Sequence, residues 1–275
     1  MLTFNLWVFI KGAQMSFTDA QGIYPGSWIG LQNYSRVLCQ KEFWTALTCN
    51  VKVLLGTWLT QMPVAFILAV ILNGVAKRFR GILRVAFFVP NLINSVLVGI
   101  MFKELLNKDS GAFNWFLGLL GLPHHTDWLH DSTYTFPVLI FVAFWQWTGF
   151  NMVYYLSALQ AIDPVIYEVA NLDGASRIQT LLQITIPLSR PAFLFMLITS
   201  TIGGLMFFEI PFLIFDTVSG PGGKALTLMA FSYLYGFNRE LELGFACAIG
   251  WVTFFIILIF SFIQLRILGL GQTEE

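Results

Sequence analysis

Glu209 stands in the run Phe207-Phe208-Glu209-Ile210-Pro211, a carboxylate inside a stretch otherwise apolar enough to lie in a bilayer. An ionisable group there is costly, so it marks either a contact to polar cargo or a pairing within a helix bundle. Trp145, Trp147, Asn151 and Tyr155 carry a second kind of chemistry. Aromatic faces pack on the C–H surfaces of a sugar, and amides or carboxylates bond its hydroxyls. Tyr155 follows Asn151 by one helical turn, which puts both on one face. Asn91 and Asn94 add amides to another apolar run. Bundle packing or lipid contact, and for Glu209 a place close to the membrane surface, is the plainer reading of all these residues. His124, His125 and His130 could suggest a metal, but adjacent histidines diverge on most backbones, and no metal site is expected. Cys39, Cys49 and Cys247 show neither CxxC nor metal-ligand spacing and read as structural. No GxxxxGK[ST] phosphate loop occurs; the nearest fragment, Gly223-Lys224, is followed by Ala225. HExxH and GxSxG are also missing, which disfavours a membrane enzyme.

The elements that must position these residues follow from composition. Of 275 residues, 57% are hydrophobic and 11% charged, against about 25% charged in soluble chains. One soluble domain could not hide that much apolar side chain, so the chain is placed in the membrane. With a net charge of zero, nothing suggests nucleic-acid binding, which needs a basic face. A spanning helix needs about 20 apolar residues. The sequence supports an all-α, polytopic membrane helix bundle of about six spans, a single transmembrane domain over 1–275. The spans fall near 1–17, 53–76, 85–105, 136–160, 191–215 and 245–266. The first is short and interrupted by Lys11; it lacks the basic start and small-residue site of a signal peptide, and reads as a span whose beginning is missing. Lys77, Arg78, Arg80 and Arg84, with no acid among them, place loop 73–84 in the cytoplasm. Loops 18–46, 106–134 and 216–243 then lie outside. Loop 162–190 and both termini lie inside. The outer loops carry base too (Arg36, Lys41, Lys103, Lys108, Lys224, Arg239), so this orientation rests on the one dense cluster.

Loop 162–190 is the most informative segment. Asp163-Pro164 is a strong helix start, a side-chain cap followed by a residue that needs no donor. A helix to about Leu172 is expected, then a turn at Asp173-Gly174, where glycine reaches positive φ without steric cost. A second short helix should end near Ile184, with Pro187 and Pro191 closing the loop. Ala170, Gly174 and Ala175 are small enough to admit another protein's backbone, and Glu168 and Arg177 could fix register. On spacing alone, an ordinary amphipathic connector explains the segment equally well.

Glu168-Val169-Ala170, Gly174, Ile184 and Ile186-Pro187 stand at the spacings of the signature loop of binding-protein-dependent ABC importer permeases: Glu-Ala-Ala, three residues, Gly, nine residues, Ile, one residue, Leu-Pro. Asp173 and Ala175 flank the glycine as in that pattern, and Val169 and Ile186 are conservative departures. Trp28-Ile29-Gly30-Leu31-Gln32-Asn33-Tyr34, the Phe144–Met152 run, Pro90 and Gly220-Pro221 resemble sugar-type members, the maltose and glycerol-3-phosphate permeases. The resemblance covers nearly the whole chain. It implies a permease in the bacterial cytoplasmic membrane, with two cytoplasmic ATPase subunits, a second homologous permease and an extracytoplasmic solute-binding protein as partners. The cargo is a small solute, favouring a sugar or oligosaccharide over a glycerol phosphate, because the spans offer little base for a phosphate. ATP and Mg2+ would be bound by the partner ATPase, with no cofactor in this chain. Glu168, Ala170, Asp173, Gly174, Ala175, Ile184 and Pro187 would form a coupling helix that docks on that ATPase. The competing reading is a structural or receptor-like membrane protein that moves nothing.

Overall fold

The computed structural model describes residues 2–238 and 241–268; Arg239 and the tail beyond residue 268 lie outside the described residues. The chain forms α1 Leu2–Ser16, α2 Gln32–Cys39, α3 Lys41–Gly74, α4 Lys77–Leu92, α5 Ser95–Leu105, α6 Ala112–Leu119 and α7 Thr135–Ala161. It continues with α8 Pro164–Leu172, α9 Arg177–Thr180, a π-helical turn Leu181–Thr185, α10 Ile186–Leu188, α11 Arg190–Leu205, α12 Glu209–Ile214, α13 Leu228–Tyr233 and α14 Leu243–Leu268. Among the described residues the extended pairings are isolated bridges, Thr18 with Trp28 and Gln21 with Tyr24.

Among the described residues three helices are long and apolar enough to cross a membrane alone: α3, α7 and Leu243–Ile267 of α14. The count reaches five if two bent pairs each make one span, residues 78–92 with 95–105 bent by 90° and 177–188 with 190–205 bent by 60°. The 15 residues of α1 rise about 22 Å, short of a hydrocarbon core of about 30 Å. The structure therefore corrects the uniform six-span reading in three places. First, α3 starts at Lys41 rather than residue 53 and runs for 34 residues. Polar side chains end a membrane core but need not end a helix, and Thr45 and Thr48 bond back to the carbonyls of Lys41 and Trp44. Second, the 85–105 span is two helices broken at Ile93-Asn94. Third, the 191–215 span is α11 and α12, interrupted at residues 206–208.

One compact unit comprises residues 1–54, 95–139 and 202–260. Its core gathers Val37, Phe43, Leu228, Phe231, Phe245 and Ile249. Phe9 of α1 packs on Trp251 of α14, ring centroids 4.6 Å apart. Asn33 Nδ2 donates to the carbonyls of Ser16 and Thr18 at 2.9 and 2.8 Å and so closes the end of α1. Arg36 pairs with the nearly buried Glu242 and lies 4.2 Å over the Phe245 ring. Gly99 lets α12 lie against α5, since a Cβ there would come 2.9 Å from Leu213 Cβ.

The other unit comprises residues 55–94, 140–201 and 261–275, with a core of Phe66, Ala69, Met152, Tyr155, Leu156 and Met196. In lipid such cores gain from close packing and interhelical hydrogen bonds rather than from escape from water. Both devices are present. A Cβ on Gly149 would lie 1.7 Å from the Phe87 carbonyl oxygen, so α4 and α7 cross in near contact there. Trp58 Nε1 donates to Ser200 Oγ at 2.8 Å, and Gln264 Nε2 to Thr201 Oγ1 at 2.7 Å.

Candidate functional site

The segment between α7 and α11 is a helix–turn–helix closed at every end. Asp163 Oδ1 accepts from the Val165 amide at 2.9 Å, and Pro164 opens α8. At the other end, the Ala175 amide donates to the Ala170 carbonyl and the Gly174 amide to that of Asn171, at 3.0 and 3.1 Å. This paired closure needs a left-handed residue, and Gly174 supplies it with φ +75°. Ser176 and Gln179 form a reciprocal capping box that starts α9. The second helix does not end near Ile184. It runs on through the π-helical turn to Leu188, with Pro187 inside it. A proline in a regular α-helix clashes with the carbonyl four residues back and removes a donor, and the wider π turn just before it opens that space.

Glu168, Asp173, Gly174 and Pro187 are exposed on this segment, Ala175 and Ile184 are half-buried, and Ala170 is buried against its own chain. Ala170 therefore presents no backbone approach to another protein. The surface instead offers Leu172 at 87%, Ile178 at 70% and Val169 at 50% exposure. Large exposed apolar groups gathered on a rigid turn are the kind of surface that marks an interaction site.

The polar groups of the spans fall into two classes. Glu209 is exposed in the first turn of α12, immediately after the interruption at 206–208. Asn91 and Asn94 flank the break between α4 and α5, with Asn91 Nδ2 buried and unpaired and Asn94 exposed. On α7, Trp147 is exposed, Trp145 half-buried and Asn151 buried. Tyr155, one turn after Asn151 on the same helix, is buried as Asn151 is. Tyr155 is fully buried, 4.9 Å from the Phe193 ring and 5.7 Å from the Phe66 ring, and its hydroxyl has no partner.

Two further amides hold the breaks open. Asn50 is fully buried; its Nδ2 donates to the Gly204 carbonyl at 2.7 Å, and its Oδ1 accepts from the Leu228 amide at 2.9 Å. It thus satisfies the end of α11 and the start of α13. Gln146, 2% exposed, donates to the Ile93 carbonyl at 3.2 Å, where α4 stops. With the loop read as 18–46 and the span as 53–76, Asn50 falls in neither; an amide between Cys49 and Val51 in a helical pattern is the signal that points to it.

The histidines divide. His124 and His125 are exposed, rings 4.4 Å apart. His130 lies between two carboxylates, Nδ1 at 2.8 Å from Asp127 Oδ1 and Nε2 at 2.9 Å from Asp216 Oδ2. Lys103 Nζ stands 2.7 Å from Asp216 Oδ1. Hydrogen bonds to Asp127, then to Asp216, hold the His130 pKa above its ordinary value. Lys103 and His130 hold Asp216 below the usual carboxylate range. For Asp127, slight burial pushes upward, but the bonds from His130 prevail and lower it. Among the described residues no group of His, Cys, Asp and Glu is placed to hold a metal ion.

The family model described as "Binding-protein-dependent transport system inner membrane component" matches residues 61–269. The chain is 33% identical to the arabinooligosaccharides transport system permease protein AraP of Bacillus subtilis, over 99% of this chain and 86% of that one. It is 31% identical to the lactose transport system permease protein LacF of Rhizobium radiobacter, over 95% of this chain and 87% of the relative. Its fold matches a chain of a bacterial alginate ABC transporter solved with an alginate pentasaccharide-bound periplasmic protein, with TM-score 0.83 and 23% identity, over 97% of this chain and 91% of that chain.

Proposed function

The chain belongs to the family of binding-protein-dependent transport system inner membrane components, and from that premise we propose that it forms half of the membrane path of an ATP-driven importer for a sugar or oligosaccharide. The cargo class is supported by relatives named for arabinooligosaccharides and lactose. The observation that carries the coupling role is the capped turn at 163–188, which presents exposed apolar side chains on a rigid base. One of two cytoplasmic ATPase subunits docks there, and the pair of ATPases holds the ATP and Mg2+. A second, homologous permease completes the path, and an extracytoplasmic binding protein delivers the solute. The 162–190 loop and both termini face the cytoplasm, and the chain acts as one transmembrane domain. Closure of the ATPases on ATP and arrival of loaded binding protein both bias the same two-state equilibrium of the spans. Glu168 fixes the loop in the ATPase cleft, while Leu172 and Ile178 supply contact area. Glu209, Asn151, Trp145, Trp147, Asn91 and Asn94 line the path; Tyr155 packs the core.

The test is a pull-down of the tagged chain from native membranes in mild detergent, with partners identified by mass spectrometry and the captured binding protein screened against sugars. Recovery of an ATPase, a second permease and a sugar-specific binding protein is the expected outcome. Recovery of none of them from folded material would make the non-transporting reading the better one. Gly174→Asp, which places a charged side chain in a left-handed turn, should abolish ATPase co-purification while membrane insertion persists. Normal transport by that variant would remove the coupling assignment.

A further inference from the structure

Helix α6 and the turn after it carry an apolar stripe that no described residue covers. Trp115, Phe116, Leu119 and Leu120 are 67%, 52%, 64% and 58% exposed. Trp115 and Leu119, like Phe116 and Leu120, are one helical turn apart, so the four side chains share a face. The opposite face is fixed. Asn114 is buried; its Nδ2 donates to the carbonyls of Lys108 and Thr126 at 3.0 and 2.9 Å, and its Oδ1 accepts from Trp128 Nε1 at 2.8 Å. The Phe113 ring packs edge-on to Trp128 at 5.4 Å. At the far end the Leu122 amide bonds the Leu117 carbonyl and the Gly121 amide that of Gly118, with Gly121 at φ +70°. The stripe therefore points in a defined direction rather than swinging on a loop.

The geometry points to a bilayer interface as its occupant, with α6 lying in the membrane plane as a surface anchor. The argument is one of continuity and charge. The chain is a multi-pass membrane protein, and α6 follows α5, whose Leu97 and Ile100 are exposed apolar groups of the same kind. The joining turn is tight, and a Cβ on Gly111 would lie 2.2 Å from the Asn107 carbonyl oxygen. No residue of α6 is charged, and its one amide is spent inside the chain, so the stripe has nothing with which to pair a polar docking partner. Exposed Lys108, His124 and His125 flank it, suited to phosphate headgroups, while a tryptophan at the edge of the stripe suits the interfacial belt. Trp115, Phe116, Leu119 and Leu120 then sit at the acyl boundary and hold the end of α5 at constant depth. The inference needs only that the chain is membrane-embedded and holds whatever the cargo.

The experiment is electron paramagnetic resonance on the assembled transporter in phosphatidylcholine–phosphatidylglycerol nanodiscs. Nitroxides are placed at Phe116→Cys and Leu119→Cys, with Asp109→Cys and His125→Cys as references, in a background of Cys39→Ser and Cys247→Ser. The buried Cys49 stays. At 116 and 119, relaxation by oxygen should exceed that by the water-soluble Ni(II)EDDA several-fold, with the order reversed at 109 and 125. Preferential relaxation by Ni(II)EDDA at all four positions would overturn the proposal, because the face would be in water. Protection from both relaxants at 116 and 119 would overturn it too, because a protein partner would cover the face. Two label positions on one stripe guard against a local disturbance at either.

Discussion

Tyr155 and Asn50 are both polar groups buried in an apolar interior, and they differ in what they have found there. The Tyr155 hydroxyl has no partner, so removing it leaves nothing unsatisfied. Tyr155→Phe should leave transport KM unchanged and thermal stability in detergent unchanged or raised by up to about 1 kcal/mol, since deleting an unpaired buried group is neutral to favourable. A several-fold rise in KM would restore Tyr155 to the path. Asn50 is the opposite case, because it bridges two helix ends with both halves of its amide. Asn50→Leu keeps similar bulk but orphans the Gly204 carbonyl and the Leu228 amide, at a cost of about 1–3 kcal/mol for each buried group. A lowered unfolding midpoint in detergent is the expected reading, and an unchanged midpoint would mean that water or lipid headgroups reach those groups.

Helices were legible from the sequence wherever charge-free runs reach spanning length, and the positions of α7 and α14 followed directly. The Asp163-Pro164 start and the Gly174 turn were legible as well, because capping is local chemistry. The breaks were not. Pro63 sits inside α3, which runs unbroken over 34 residues, whereas α4 ends two residues beyond Pro90. Proline alone cannot separate these cases. What separates them is a distant amide: Gln146 takes the carbonyl freed at Ile93, and Asn50 the one freed at Gly204. Such partners are invisible to a window moving along the chain. Close crossings are equally non-local. Gly149→Ala forces a methyl into the Phe87 carbonyl oxygen, and a strong loss of folded yield is expected because both neighbours are backbone held in helices. Gly203→Ala is the control: outside the backbone of its own helix no described atom lies within 4 Å of its Cβ position, and alanine gains up to about 1 kcal/mol of helix propensity. Equal yields for the two variants would show that α4 and α7 do not cross at this point.

At the scale of the whole molecule, the family assigns a transport cycle, and the cycle needs segments that can be held and released. The stretch 126–134 and the stretch after α12 are tied at two points, His130 to Asp216 and Ser132 to Lys224 Nζ. The first tie titrates. His130 has its pKa raised, so its contribution is complete below the ordinary histidine value of about 6.5 and is lost as pH rises through the raised value. Asp127 and Asp216 have theirs lowered, so their contribution is complete above about 4 and is lost as pH falls through the lowered values. The tie is therefore full between those limits and fades on the alkaline side when His130 loses its second proton. Lys103 beside Asp216 and Lys108 near Asp127 add to the lowering of those two carboxyls. The groups are largely exposed, and exposed ion pairs contribute at most about 1 kcal/mol, so the effect belongs to local opening rather than to global unfolding. Amide hydrogen exchange in residues 127–134 should be slow at pH 6 and, after correction for intrinsic rates, several-fold faster at pH 8.5. His130→Gln keeps a hydrogen-bonding side chain but cannot carry the charge, and its corrected exchange should be fast and the same at both values. A pH dependence that survives in His130→Gln would place the titrating group elsewhere, and equal protection of the wild-type chain at both pH values would show that the loops are held by Lys224 and packing alone.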